Sequence, residues 1–135
     1  RLSTSVHYYQ LPVNLSGTNT TAEIYIMKNK NRKKRIDPGN TVLFVSLDTN
    51  RIGRIETLIY LNGKNASISL RAENEEILSF VKENINYLYK GLAGSGYKLT
   101  DVKYSVNNKA STPVQIEKLL SQLANSNYGR LDMRI

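Results

Sequence analysis

Glu75 and Glu76 are the one adjacent pair of carboxylates in the chain, and paired carboxylates are a common device of general acid–base catalysis. Neighbouring positions on a helix point about 100° apart, so these two do not face one another as an acid and its base would. They read better as a first helical turn, where acidic side chains complement the positive end of the helix dipole. The stretch Gly91-Leu92-Ala93-Gly94-Ser95-Gly96 spaces its glycines in a way that mimics a phosphate loop. A phosphate cradle follows a strand and opens a helix, whereas this stretch closes a helical pattern and precedes a strand. The chain has no cysteine and one histidine, His7. Disulfides, thiolate metal sites and a histidine zinc set are thereby excluded, and a Ser-His or Cys-His pair would have to use His7, which lies in a strand-like segment. No catalytic, cofactor-binding or metal-ligating residue is expected, and no enzymatic activity.

Charge is the remaining chemistry. The formal net charge is +8, which first brings nucleic acid to mind. Lys28, Lys30, Arg32, Lys33, Lys34 and Arg35 account for six of those charges, leaving +2 elsewhere. The basicity is therefore one loop, with no aromatic residue inside it on which bases could stack. A loop of this kind keeps a hairpin soluble or steers an acidic protein partner. Nucleic acid or another anionic surface is the alternative partner for residues 28–35. The nine tyrosines fall mostly in strand-like segments, where a ring with a polar tip suits half-buried positions and interfaces.

These features must be carried by a sheet followed by a helix. SVHYYQLPV (5–13) reads as a strand whose Pro12 suits an edge, and NLSGTNT (14–20) reads as a polar turn. TAEIYIMK (21–28) alternates, with Ala22, Ile24 and Ile26 on one face and Glu23, Tyr25 and Met27 on the other. Asp37-Pro38-Gly39-Asn40 is a turn, and TVLFVSL (41–47) is apolar on both faces, as a central strand is. RIETLIYL (54–61) runs into Asn62-Gly63, the strongest short hairpin signal, and NASISLRA (65–72) returns. From Asn74, a predicted N-cap, the period changes to 3.6, with Ile77, Val81, Ile85, Leu88 and Leu92 in one stripe up to about Ala93. Gly94 or Gly96 ends that helix, and YKLTDVKYSV (97–106) is a further strand. Thr112-Pro113-Val114-Gln115 opens a short helix with a capping box and Ile116, Leu119, Leu120 and Leu123 on one side. GRLDMRI (129–135) reads as a last strand or a docked tail. The longest apolar runs are four residues, as in Val42 to Val45, far short of the roughly 20 that span a bilayer. The chain begins at Arg1 without the pattern of a signal peptide and reads as part of a longer protein.

The order of parts from Leu47 to Val106 resembles the C-terminal domain of flagellar hook-length control proteins. That family's pattern, Leu-x-Pro-x-x-Leu-Gly-x-Val-x-Val, is met here by Leu47-Asp48-Thr49-Asn50-Arg51-Ile52-Gly53-Arg54-Ile55-Glu56-Thr57, with Thr49 in place of Pro and Thr57 in place of the second Val. A hairpin, a long helix, a Gly turn and a Val-containing strand follow in the family's order.

The resemblance implies a non-enzymatic protein of the bacterial cytoplasm that engages or passes through the flagellar type III export apparatus. Its partner would be the cytoplasmic domain of an export-gate membrane protein, and its role the switch from rod and hook subunits to filament subunits. No cofactor is implied. Leu47, Ile52 and Gly53 are expected to set the register of the strand from Ile55, and Asn62 and Gly63 to form the hairpin turn. Ile55 and Thr57 are the expected partner contacts, with Arg54, Glu56, Lys33, Lys34 and Arg35 as a charged rim. The fold expected is α+β: a mostly antiparallel sheet crossed by one long helix, with a short C-terminal helix. One domain is expected over 1–107, its family-like core about 41–106, with helix and tail (108–135) docked on it.

Overall fold

A computed structural model describes residues 4–15, 17–29, 40–49 and 53–124. The fold is α+β, a six-stranded sheet in sequential order β1 to β6. The strands are β1 (Thr4–Leu15), β2 (Thr18–Asn29), β3 (Asn40–Thr49), β4 (Gly53–Asn62), β5 (Asn65–Ala72) and β6 (Lys98–Val106); the helices are α1 (Glu75–Glu83), α2 (Ile85–Gly94) and α3 (Pro113–Ala124). The first four pairings are antiparallel. β5 and β6 are parallel, because the chain must cross over through α1 and α2 between them. Pro12 lies on the edge strand β1, where no neighbour asks for its missing N–H.

Local chemistry explains most boundaries. The polar stretch 14–20 is strand except around Gly17, which has φ 83°, so the expected turn shrinks to a tight hairpin. Asn14 spans it, accepting from Gly17 N (3.1 Å) and donating to Asn19 Oδ1 (2.8 Å). In the β4–β5 hairpin, Asn62 pairs with Asn65. The loop residues are thus Gly63 and Lys64, one step later than the Asn62-Gly63 expectation, with Gly63 taking the positive φ of 62° that a tight hairpin needs. Asn74 caps α1, its side chain accepting from Ile77 N at 2.9 Å.

The expected single long helix is two. Asn84 breaks it: its side-chain amide donates to Phe80 O (2.8 Å), taking the acceptor that its own backbone N–H would use in a continuous helix. That N–H turns to Val81 O instead (3.1 Å), and the chain re-enters helix at Ile85. α2 ends in a Schellman motif, with Tyr97 N donating to Leu92 O (2.8 Å), Gly96 N to Ala93 O (3.1 Å) and Gly96 at φ 88°. α3 opens with the expected capping box: Thr112 N donates to Gln115 Oε1 (2.9 Å), and Gln115 N to Thr112 Oγ1 (3.2 Å). Replacing Thr112 with Ala should cost about 1 kcal/mol, the usual worth of an N-cap, read as a lower urea midpoint with an unchanged slope.

The two faces of the sheet carry separate cores. On one, Tyr25, Met27, Val42, Phe44, Leu58 and Tyr60 pack against Ile116, Leu119, Leu120 and Leu123 of α3. On the other, Ala66, Ile68, Leu70 and Leu99 pack with the helical stripe Val81, Ile85, Leu88 and Leu92. A register shift between Ala66 and Ser67 admits Thr100 as an extra residue. It lets Leu99 share a face with Val102 and Tyr104, which strict alternation would forbid. The helices cover the sheet diagonally: α1 and α2 lie over β5 and β6, α3 over β1, β2 and β3 on the opposite face.

Candidate functional site

Along the β4 flank of α1 and α2 runs a groove of about 330 Å³. Val45 of β3, Ile55, Thr57 and Ile59 of β4, and Phe80 and Leu88 of the helices supply its walls, and Asn84 is its one strongly polar neighbour. The helix break shapes it, since Asn84 sits where α1 gives way to α2 and bonds to the carbonyl of Phe80. Phe80 is 49% exposed at the lip, a large apolar side chain left to water. With Thr57 and Asn84 as its polar lining and no charged residue among the described ones that line it, the cleft suits apolar side chains of a partner better than acid–base or metal chemistry.

Ile55 and Thr57, expected as contacts, both line this groove. Arg54 and Glu56, expected beside them as a charged rim, do not. Successive side chains on a strand point to opposite faces, so these two lie on the α3 side, in a buried ion cluster. Glu56 is 2% exposed and Arg71, directly across the hairpin, 5%. Glu56 Oε1 accepts from Arg71 Nε (3.1 Å) and Nη2 (2.9 Å). Ser111 closes the cluster: its hydroxyl accepts from Arg71 Nη2 (2.6 Å) and donates to Glu56 Oε1 (3.0 Å), while its N–H donates to Oε2 (2.8 Å). Arg54 stands 3.8 Å from Glu56 Oε2 and donates to Asn107 O at 2.9 Å. Together they pin the chain between β6 and α3 to the sheet.

Counting back from the expected Asn62-Gly63 turn would set Ser69 opposite Glu56; the loop one step later, at Gly63 and Lys64, brings Arg71 there instead. Lys33, Lys34, Arg35 and Ile52 lie outside the described residues, as do the 37–39 part of the Asp-Pro-Gly-Asn turn and the 129–135 tail. Leu47 pairs with Ile55, directly across from the start of the expected strand. Gly53 starts β4 at φ 88°, and a Cβ there would collide with Ile77 Cδ1 of α1 and stand 3.1 Å from Glu73 Oε1. Glu73 ties the same point from both sides, Oε1 accepting from Arg54 N (3.0 Å) and its N–H donating to Arg54 O (3.1 Å).

Other candidates carry less chemistry. A polar depression beyond α3 includes Gln10, Glu23, Ser46 and Asp48. Among the described residues no three His, Cys, Asp or Glu side chains converge to hold a metal. Three phenols titrate above their ordinary range: Tyr8 through its hydrogen bond to Glu23, Tyr25 and Tyr104 mainly through burial. None is poised as an acid or base near neutrality.

The profile of the flagellar hook-length control protein FliK matches residues 29–113, more than half of the chain. The chain belongs to the flagellar hook-length control family. Searches of curated proteins and of solved structures found no match. The matched segment holds β3 to β6, α1, α2 and the clamp at Ser111, and so contains every lining residue of the groove. β1, nearly all of β2 and the body of α3 lie beyond it. The family match thus covers the central strands of the sheet and the helices α1 and α2. No helix among the described residues is long and apolar enough to cross a membrane.

Proposed function

We propose that this domain is a non-enzymatic protein-binding element of flagellar export. It docks on the cytoplasmic domain of an export-gate membrane protein and shifts the substrate choice from rod and hook subunits to filament subunits. The groove beside α1 and α2 carries the reading: an uncharged apolar cleft with an exposed Phe80, within the family-matched segment, suits a protein partner. In this role Ile55 and Thr57 make contact, Lys33, Lys34 and Arg35 supply attraction for an acidic partner, and Arg54 and Glu56 hold the scaffold behind the contact.

A pull-down with the export-gate cytoplasmic domain tests it. Ile55→Asp places a carboxylate in the cleft and should lower binding at least about tenfold, the equivalent of some 1.4 kcal/mol. Phe80→Ser, at an exposed position that leaves the sheet intact, should weaken it in the same direction. Ser105→Asp adds the same charge at an exposed site of β6 and should leave binding unchanged. Absence of binding by folded wild type would remove the export-gate partner.

A further inference from the structure

Among the described residues the two edges of the sheet are defended unequally. β6 carries the usual protections of an edge: the charged residues Lys98, Asp101 and Lys103, and a register shift that interrupts its pairing with β5. β1 is longer, 12 residues in unbroken register with β2, and from Val6 to Leu11 it has no Asp, Glu, Lys or Arg. Pro12 blocks only the end next to the turn.

The register says which backbone groups this open edge presents. Leu15 and Thr18 face each other across a two-residue turn, and such a closing pair exchanges both hydrogen bonds. Pairing alternates from there, so the backbone groups of Val6, Tyr8, Gln10 and Pro12 point away from β2. Pro12, with no N–H to offer, belongs to this outward set as the count requires. Val6, Tyr8 and Gln10 thus present N–H and C=O in a row spaced for another extended strand. The side chains beside the row define the chemistry of that strand. On the α3 face Gln10, Glu23 and Ser46 form one cross-strand row, and with Asp48 they line the polar depression of about 450 Å³. Its described lining includes two carboxylates and no base. Arg54, opposite Asp48 in register, turns its guanidinium to Asn107 O and Glu56 instead. On the other face Tyr9 and Leu11 are about half exposed.

We infer that β1 is a docking edge for an extended segment of another protein, added as an antiparallel strand with basic residues on the α3 face and apolar residues on the other. A lysine or arginine opposite Gln10 lies two strand spacings, about 10 Å, from Glu23, a gap that the two side chains close between them. Apolar residues opposite Tyr9 and Leu11 cover the exposed sides of both. A helix has no free backbone groups along its length to answer the row. A second copy would offer β1 itself, which has no Lys or Arg between Val6 and Leu11, and would set two Glu23–Asp48 pairs on one continuous face. β1 lies outside the family-matched segment and lines no part of the groove, so the inference stands independently of the export-gate reading.

A synthetic peptide of about nine residues, Lys and Val alternating, titrated into the isotope-labelled chain tests this. Saturable amide shifts should centre on Val6, Tyr8 and Gln10, and exchange of those three amide protons should slow at least about tenfold. A peptide with Glu in place of Lys should bind at least about tenfold more weakly. Glu23→Gln, which keeps an acceptor for the Tyr8 hydroxyl, should weaken the Lys peptide in the same direction, and Phe80→Ser, in the groove, should not. In the antiparallel arrangement the lysines form the hydrogen-bonded pairs with Val6, Tyr8 and Gln10. N-methylation of the Lys residues should therefore abolish binding, and N-methylation of the Val residues should spare it. The inference is overturned by an absence of saturable binding, by shifts centred on the groove, by equal affinity for the Glu peptide, or by indifference to N-methylated Lys. It also falls if the chain dimerises through β1, or if the edge accepts the peptide only after residues 125–135 are removed.

Discussion

Glu56→Ala is expected to lower the stability of the fold by about 3–5 kcal/mol, because it leaves the Arg71 guanidinium buried without its counter-charge. The carboxylate receives both arms of Arg71 and two hydrogen bonds from Ser111, so its loss also frees the connection that delivers α3 to the sheet. Urea unfolding followed by circular dichroism measures the first effect. Amide exchange in α3, rising ahead of exchange in β4 and β5, measures the second. The double variant Glu56→Leu with Arg71→Met should recover much of the loss, since a buried ion pair replaced by apolar groups of like size is often neutral. The Ser111 N–H would still lack its acceptor, and that residue of the cost should persist. A single-variant cost below about 1 kcal/mol would mean that Arg71 finds water when Glu56 is gone, as surface pairs do.

Gly53→Ala is expected to cost about 2–4 kcal/mol through two separable effects. An L-residue in the left-handed region loses about 1–2 kcal/mol, and the new methyl must displace the end of Ile77 in a packed interface, with a penalty of similar size. Ile77→Val shortens the obstructing side chain. In the Gly53→Ala background it should restore the steric part and leave the conformational part, so a double-mutant cycle divides the total. Full recovery with Ile77→Val would show that φ carries no cost at this position. Because Gly53 lies where β4 meets Glu73 and the first turn of α1, the loss should also loosen the groove, of which Ile55 is a wall.

Those two positions mark how far the sequence could be followed. Gly53 was visible as a motif glycine ahead of a strand. The side chain its missing Cβ makes room for, Ile77, lies 24 positions further along the chain, a distance that no local pattern spans. Glu56 shows the same limit at shorter range. The expected Asn62-Gly63 turn would set Ser69 opposite it, and the loop one step later brings Arg71 there instead. The linker at Asn107 and Ser111 then closes over the pair and makes it a buried cluster.

Local chemistry determined the elements by itself. Period-two alternation wrote the strands, the Asn74 and Thr112 caps began two helices, Gly96 ended another, and Pro12 marked the edge. All of these act within a few residues, where backbone conformation and capping are decided. The break at Asn84 is also local, but a helical stripe that runs through it unbroken conceals a side chain competing for the Phe80 carbonyl. The pattern of the family was equally readable, because Leu47, Gly53 and Ile55 stand at fixed spacing along one chain. Tertiary structure alone decided which side of the sheet each helix covers, and so which apolar residues became core and which became groove. Alternation says that Ile55 and Glu56 lie on opposite faces without saying what lies above either one. Only the packing of α1 and α2 over β5 and β6, and of α3 over the other strands, left Ile55 beside an open cleft and Glu56 beneath a clamp.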